Sequence, residues 1–232
     1  MASSGTYTFS STASNGSLVL SAFERCRIRA PSLRQEHMLS AQREFNFLLS
    51  TLSNLQPNLW TVTLVSETLV EGTETYDVDA KVVMVLDAYI SLNYGTSNQT
   101  DRYISPMSRT DYAAIGQKQT QGQPTSYWFD RTIDPTITLW TVPDGNGPYT
   151  LNYYACTQMQ DANLYGGETP NVPYRWIDAL VAGLAHRLSR IYAPEVEAMR
   201  KVDAKEAWDI AAAQDTENVN LSISPSMQGY YR

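Results

Sequence analysis

The spacing of apolar residues changes twice along the chain. It is helical from about residue 17 to 58, alternating through much of 59–158, and helical again from about 173 to 214. The clearest helical pattern lies between Pro173 and Pro194. There Ile177, Leu180, Val181, Leu184, Leu188 and Ile191 form one broad stripe, flanked by Trp176 and Tyr192. Asp178 near its start and Arg187 and Arg190 near its end complement the helix dipole. Pro173 suits a first turn and Pro194 stops the helix. One helix cannot bury such a stripe alone, so these six residues are the predicted core of a helical bundle.

Three further helices supply partners. Residues 17–27 carry Leu18, Leu20, Phe23 and Cys26 behind an N-cap at Ser17. Residues 32–52 carry Leu39, Phe45, Leu48, Leu49 and Leu52, with Met38, Ala41 and Phe47 on the borders. Residues 194–214 carry a narrower face of Val196, Met199, Ala204, Ala207, Trp208 and Ala211. Between them the alternation predicts about six strands. These begin at Trp60, at Tyr76, at Val82 (a β-branched, largely apolar strand to Asn93), at Ser126, at Thr136 and at Pro148. Ser108–Tyr112 starts a single helical turn, residues 95–101 and 116–124 read as loops, and Pro143–Gly147 reads as a hairpin turn joining the last two strands.

The expected fold is therefore α+β. The two ends of the chain form a four-helix bundle (17–58 and 159–214), with an antiparallel β-domain inserted at 59–158. Residues 1–16, rich in Ser, Thr, Gly and Asn, are expected to be a flexible arm, and 215–232 a C-terminal arm. In that second arm Val219, Leu221 and Ile223 alternate as in a strand added to another sheet edge, Pro225 ends the pattern, and Tyr230 and Tyr231 are candidate anchors. These five residues are the predicted interface with a partner or a neighbouring subunit.

Charge narrows the partners. The net charge of −7 is uneven: +2 over residues 1–58, −6 over 59–158 and −3 over 159–232. Such a chain does not hold DNA by neutralising phosphates, although it suits the wall of a passage through which DNA slides. Arg25, Arg27 and Arg29 alternate and are read as a solvated or ion-paired face, with phosphate contact as the alternative. The longest apolar run, Val82–Leu86, is too short to span a bilayer, and MASSGTYTFSSTASNGS lacks the basic region and apolar core of a signal peptide. Cys26 and Cys156 are expected as two reduced thiols, one or both buried, with a disulfide as the alternative.

Catalytic constellations are missing. His37 and His186 have no Cys or His at metal-ligand spacing, and there is no GxSxG, Walker or HExxH motif. No catalytic, cofactor or metal residue is assigned. Carboxylate pairs such as Asp77/Asp79 and Asp130/Asp134 keep glycoside hydrolysis open as an alternative. The aromatic strand residues Trp60, Tyr127, Trp128, Trp140, Tyr149, Tyr153 and Tyr154 keep open a glycan-binding platform, against the simpler reading of core and protein interface.

Two passages resemble the head-to-tail adaptor proteins of short-tailed bacteriophages. They are RTDYAAIGQKQTQGQPTSYWFDRTIDPTITLWTVPD (109–144), followed by YTLNYYA (149–155), and VPYRWIDALVAGLAHRLSRIYAPE (172–195). The resemblance covers most of residues 60–214. It departs from the family in the arm at 1–16 and at Gly116, where relatives often have Pro. It implies a non-enzymatic virion protein without cofactors, assembled in the host cytoplasm and placed at the head–tail interface. It further implies a homo-oligomeric ring, usually of twelve subunits, with a portal on one side and a tail or nozzle protein on the other. DNA would pass through the lumen without specific binding. A cell-wall glycan hydrolase or glycan-binding module of a phage tail is the alternative.

Overall fold

The computed structural model describes residues 14–55 and 59–216. Helix α1 (Asn15–Arg25) begins at Ser14, whose hydroxyl accepts the Ser17 N–H at 3.3 Å. It buries Leu18, Val19, Ala22 and Phe23. Helix α2 (Gln35–Leu55) buries Ala41, Phe45, Leu48, Leu49 and Leu52 at helical spacing. Leu39, expected on that face, lies out of phase with it and is exposed.

Helix α4 (Ile177–Tyr192) is the hub. Helices α1, α2 and α5 (Glu197–Ala213) all pack on it, and Leu180, Leu184 and Leu188 sit fully buried between them. The approach of α2 is close at Gly183, where an added Cβ would lie 3.1 Å from Leu48 Cδ1. Val181 is also buried and Ile177 half-buried, whereas Ile191 is 48% exposed. Cys26 is a free thiol in this core, and its Sγ lies 3.2 Å from the Ala185 carbonyl.

The sheet has seven strands: β1 (Val62–Thr68), β2 (Thr75–Asp77), β3 (Val82–Leu92), β4 (Thr100–Pro106), β5 (Ser126–Asp130), β6 (Thr136–Trp140) and β7 (Tyr149–Thr157). Their spatial order is β1-β7-β3-β4-β5-β6-β2. All neighbours are antiparallel except β4 and β5, which pair in parallel through Ser105–Ser126 and Pro106–Tyr127. Parallel neighbours cannot be joined by a tight turn, and residues 107–125 make the crossover. That crossover holds the short helix α3 (Arg109–Ala114), started by a reciprocal Ser108–Asp111 capping box.

The sheet curls into a half-barrel over its own core, which includes Ile90, Ile104, Tyr127, Ile137, Leu139, Leu151 and Tyr153. The link 69–74 joins β1 and β2, the first and last strands of the order. It is tied by Leu69 N–H to the Tyr149 carbonyl and by Gly72 N–H to the Pro143 carbonyl, each at 2.9 Å. Gly72 has φ +77°, a conformation glycine adopts without strain. The opposite face of the sheet carries a row of side-chain hydrogen bonds across four strands. Ser66 donates to Asn152 Oδ1 at 2.6 Å, Asn152 Nδ2 donates to Ser91 Oγ at 2.8 Å, and Ser91 donates to Asp101 Oδ1 at 2.6 Å. Asn152 and Ser91 are buried.

These observations correct the expected fold class. The chain is α+β with five α-helices and a seven-strand curled mixed sheet, rather than a four-helix bundle with an antiparallel domain of about six strands. The helices radiate from α4, and α5 contributes little to a shared interior, because its only fully buried residue is Ala211. The seventh strand, β4, is hidden in the sequence because Ile104 is its only buried residue. The Pro143–Gly147 turn exists, but the strands it joins are not paired: β6 lies between β5 and β2, and β7 between β1 and β3. No helix among the described residues is long and apolar enough to cross a membrane.

Candidate partner-binding surfaces

Among the described residues no group of three or more His, Cys, Asp or Glu side chains is placed to hold a metal. Both histidines have structural partners. His37 Nδ1 accepts the Arg34 N–H at 2.9 Å, and its ring packs edge-on against Phe23 and Tyr192. His186 Nε2 lies 2.9 Å from Glu197 and 3.2 Å from the Arg190 guanidinium, at the corner between α4 and α5. The hydrogen bond to His186 holds the Glu197 carboxyl below its ordinary range. Asp79 is likewise lowered, first by the Lys81 N–H and then by the Lys81 ammonium 2.9 Å away. Cys156 is a second free, buried thiol, 3.3 Å from the Thr61 hydroxyl.

The aromatic strand residues are largely consumed in packing. Tyr127, Tyr149 and Tyr153 are buried in the sheet core. Tyr127 is pushed up to about 12, chiefly by burial and secondarily by Tyr103 and Asp87. Trp128 stacks on Tyr112 at 5.5 Å with Lys118 above the Tyr112 ring, and Trp140 Nε1 lies 3.4 Å from the Gln117 carbonyl. A row of open rings, as a sugar platform requires, is not formed by these residues. Tyr154, on the outer face of the sheet, is the exposed exception among them.

Three surfaces among the described residues are open to partners. The first is the outer side of α5, where Met199, Val202 and Ile210 are exposed in a helical row bordered by Lys205, Glu206 and Asp209. The second is the free edge of β1. The third is a cleft of about 550 Å³ between the end of α2 and the sheet, lined by Asn46, Ser50, Lys81, Gln158 and Met159 among others.

Near the second surface lies a cluster that sequence reasoning missed. Trp60 packs on Trp176 at 5.1 Å, and Trp176 on Trp208 at 4.7 Å. The Arg175 guanidinium lies 6.0 Å from the Trp60 ring and donates to Asp215 Oδ1 at 3.1 Å. The Asp215 carboxylate is fully buried, and its Oδ2 and Trp176 Nε1 have no hydrogen-bond partner among the described residues. The end of α5 is thus clamped beside Trp60, two residues before β1. Only the spacing of three tryptophans far apart in sequence could have hinted at this, and spacing does not encode a long-range contact.

The SU10 adaptor protein family matches residues 36–224, from the first turn of α2 to beyond the last described residue. The chain belongs to the SU10 adaptor family. It is a phage adaptor protein and a component of the virion. No curated protein matches the chain. The five predicted interface residues of the adaptor, Val219, Leu221, Ile223, Tyr230 and Tyr231, lie outside the described residues, as do residues 1–13. The structure brings Leu180, Val181, Leu184 and Leu188 of the adaptor together in the helical core. Ile177 lies at its margin and Ile191 at the surface.

Proposed function

We propose that this adaptor forms a homo-oligomeric ring of about twelve subunits beneath the portal, joining the capsid to the tail or nozzle and leaving a lumen for DNA. The family match over residues 36–224 carries the reading. Two features of the surface support it. The exposed row on α5 is of the kind that packs in oligomers, since an isolated soluble chain rarely leaves such a helix face open. The acidic groups of residues 59–158 are concentrated on a sheet region whose described acids lie at least partly at the surface, which suits a wall past which DNA slides. Residues 217–232 are the arm that attaches to the portal, with Val219, Leu221 and Ile223 entering pockets on one side of an added strand.

The test is the mass of the particle, alone and after mixing with the portal of the same phage. A ring seated on the portal is the expected result. A chain lacking residues 217–232 is expected to keep its melting temperature and lose stable attachment. Persistent failure of the full chain to associate with portal would overturn the reading. Normal attachment by the shortened chain would remove the arm from it.

A further inference from the structure

The two ends of the sheet are protected unequally. At one end β2 is only three residues long, Thr75–Asp77, and Glu74 and Asp77 put charge on it. At the other end β1 runs for seven residues, Val62–Thr68, without proline or a basic residue, and among the described residues it pairs on one side only, with β7. Unpaired strand edges of this length are normally blunted or covered, because their free N–H and C=O groups recruit other strands. On the outer face beside this edge, Leu64 is 46% exposed and its cross-strand neighbour Tyr154 is 41% exposed.

The chain itself supplies a strand at that place. Helix α5 ends against Trp60 and Trp176, and Arg175 fixes Asp215 there. Asp215, one residue before the end of the described chain, therefore lies near Trp60, close to the beginning of β1. Residues 217–223 equal β1 in length, about 23 Å when extended. Val219, Leu221 and Ile223 fall on one side of such a strand, and Pro225, which lacks a donor, comes two residues later. We propose that residues 217–224 pair with the free edge of β1 of their own chain, parallel to it. The three apolar side chains then extend the Leu64–Tyr154 row on the outer face. The inner side is the poorer choice, because Glu67 and Asp79 both lie near Tyr153 there and help to raise its phenol.

This pairing gives the arm a seat before assembly and covers an edge that would otherwise join subunits wrongly. It deepens the proposed role of the arm but does not depend on a portal. Its test contains none, so the two readings fail separately.

Hydrogen–deuterium exchange of residues 62–68 is compared between the full chain and a chain ending at Thr216. The edge-facing amides of β1 are expected to exchange at least tenfold faster in the shortened chain, with the α4 amides unchanged as a control for folding. The full-length variant Val219→Asp/Leu221→Asp/Ile223→Asp is expected to behave like the shortened chain. Equal β1 exchange in the full and shortened chains overturns the proposal. So does protection that appears only at concentrations where the chain dimerises, which assigns the edge to a second copy.

Discussion

Replacing Leu184 by alanine isolates the contribution of the hub helix. Leu184 is fully buried in the helical core around α4. The substitution removes three carbon groups, and at about 0.8 kcal/mol each the lost transfer energy is about 2.4 kcal/mol. A cavity that the surrounding helices fail to close adds to this, which places the total in the range of about 3–5 kcal/mol. The companion substitution Ile191→Ala, seven residues on in the same helix, makes an apolar deletion of equal size at a side chain 48% exposed. Alanine favours the helix at both positions, so the difference between the two variants reports packing rather than propensity. Urea unfolding monitored by the helical far-UV signal measures both. Ile191→Ala is expected to cost less than about 1 kcal/mol. Equal midpoints for the two variants would refute the claim that α4 is the organising core element.

Single contacts give further expectations. Asp215→Ala removes the partner of Arg175, which is itself partly solvated, and is expected to cost about 1–3 kcal/mol; the tryptophan emission should shift red as Trp60, Trp176 and Trp208 loosen. Ser108→Ala breaks the capping box of α3 and is expected to cost about 1 kcal/mol, read in the same urea assay. Glu197, Asp79, Asp101, Asp111 and Asp144 all have lowered carboxyl values in the fold, each held chiefly by hydrogen bonds. Their stabilisation is present above the ordinary carboxylate range and is lost as pH falls through the lower folded values, so a melting temperature measured against pH should drop on acidification through that window. Tyr127 has the opposite sign. Its contribution is complete below the ordinary value of 10.0 and is lost as pH rises through about 12, so its phenolate absorbance should appear late and together with unfolding.

How much the sequence disclosed depends on how locally each feature is written. Leu180, Leu184 and Leu188 mark the core face of α4 because one amphipathic stripe meets neighbours on most of its width. The face of α2 was legible except at Leu39, which sits two positions before Ala41 and therefore on the far side of the helix. Strand β4 hid because six of its seven residues remain exposed, leaving no alternation to see. Strand pairing was less legible still. The residues of the Pro143–Gly147 turn are those of a hairpin, yet β6 pairs with β5 and β2 and β7 with β1 and β3, and a turn motif carries no record of that choice. The Arg175–Asp215 clamp joins residues forty positions apart and was invisible for the same reason. Family membership was legible because it rests on long passages, residues 109–155 and 172–195, rather than on one contact.

The polar row Ser66–Asn152–Ser91–Asp101 bears on how such a sheet finds its arrangement. Alternating side chains make a shift of one residue in any strand an exchange of its two faces. Sliding β7 by one position would carry Asn152 toward the apolar side chains of Ile90 and Ile104 and away from Ser66 and Ser91. The hydroxyls of Ser66 and Ser91 would lose their central partner at the same time. Each buried group stranded in this way costs about 1–3 kcal/mol, whereas the correctly made bonds add only modestly to net stability. The row therefore acts as a proofreading device. It penalises near-miss alignments of β1, β7, β3 and β4 more than it strengthens the right one, and so widens the gap between the native pairing and its competitors. Turns directly join only two of the neighbouring pairs in this sheet, β3–β4 and β5–β6, so much of that discrimination has to come from within the sheet.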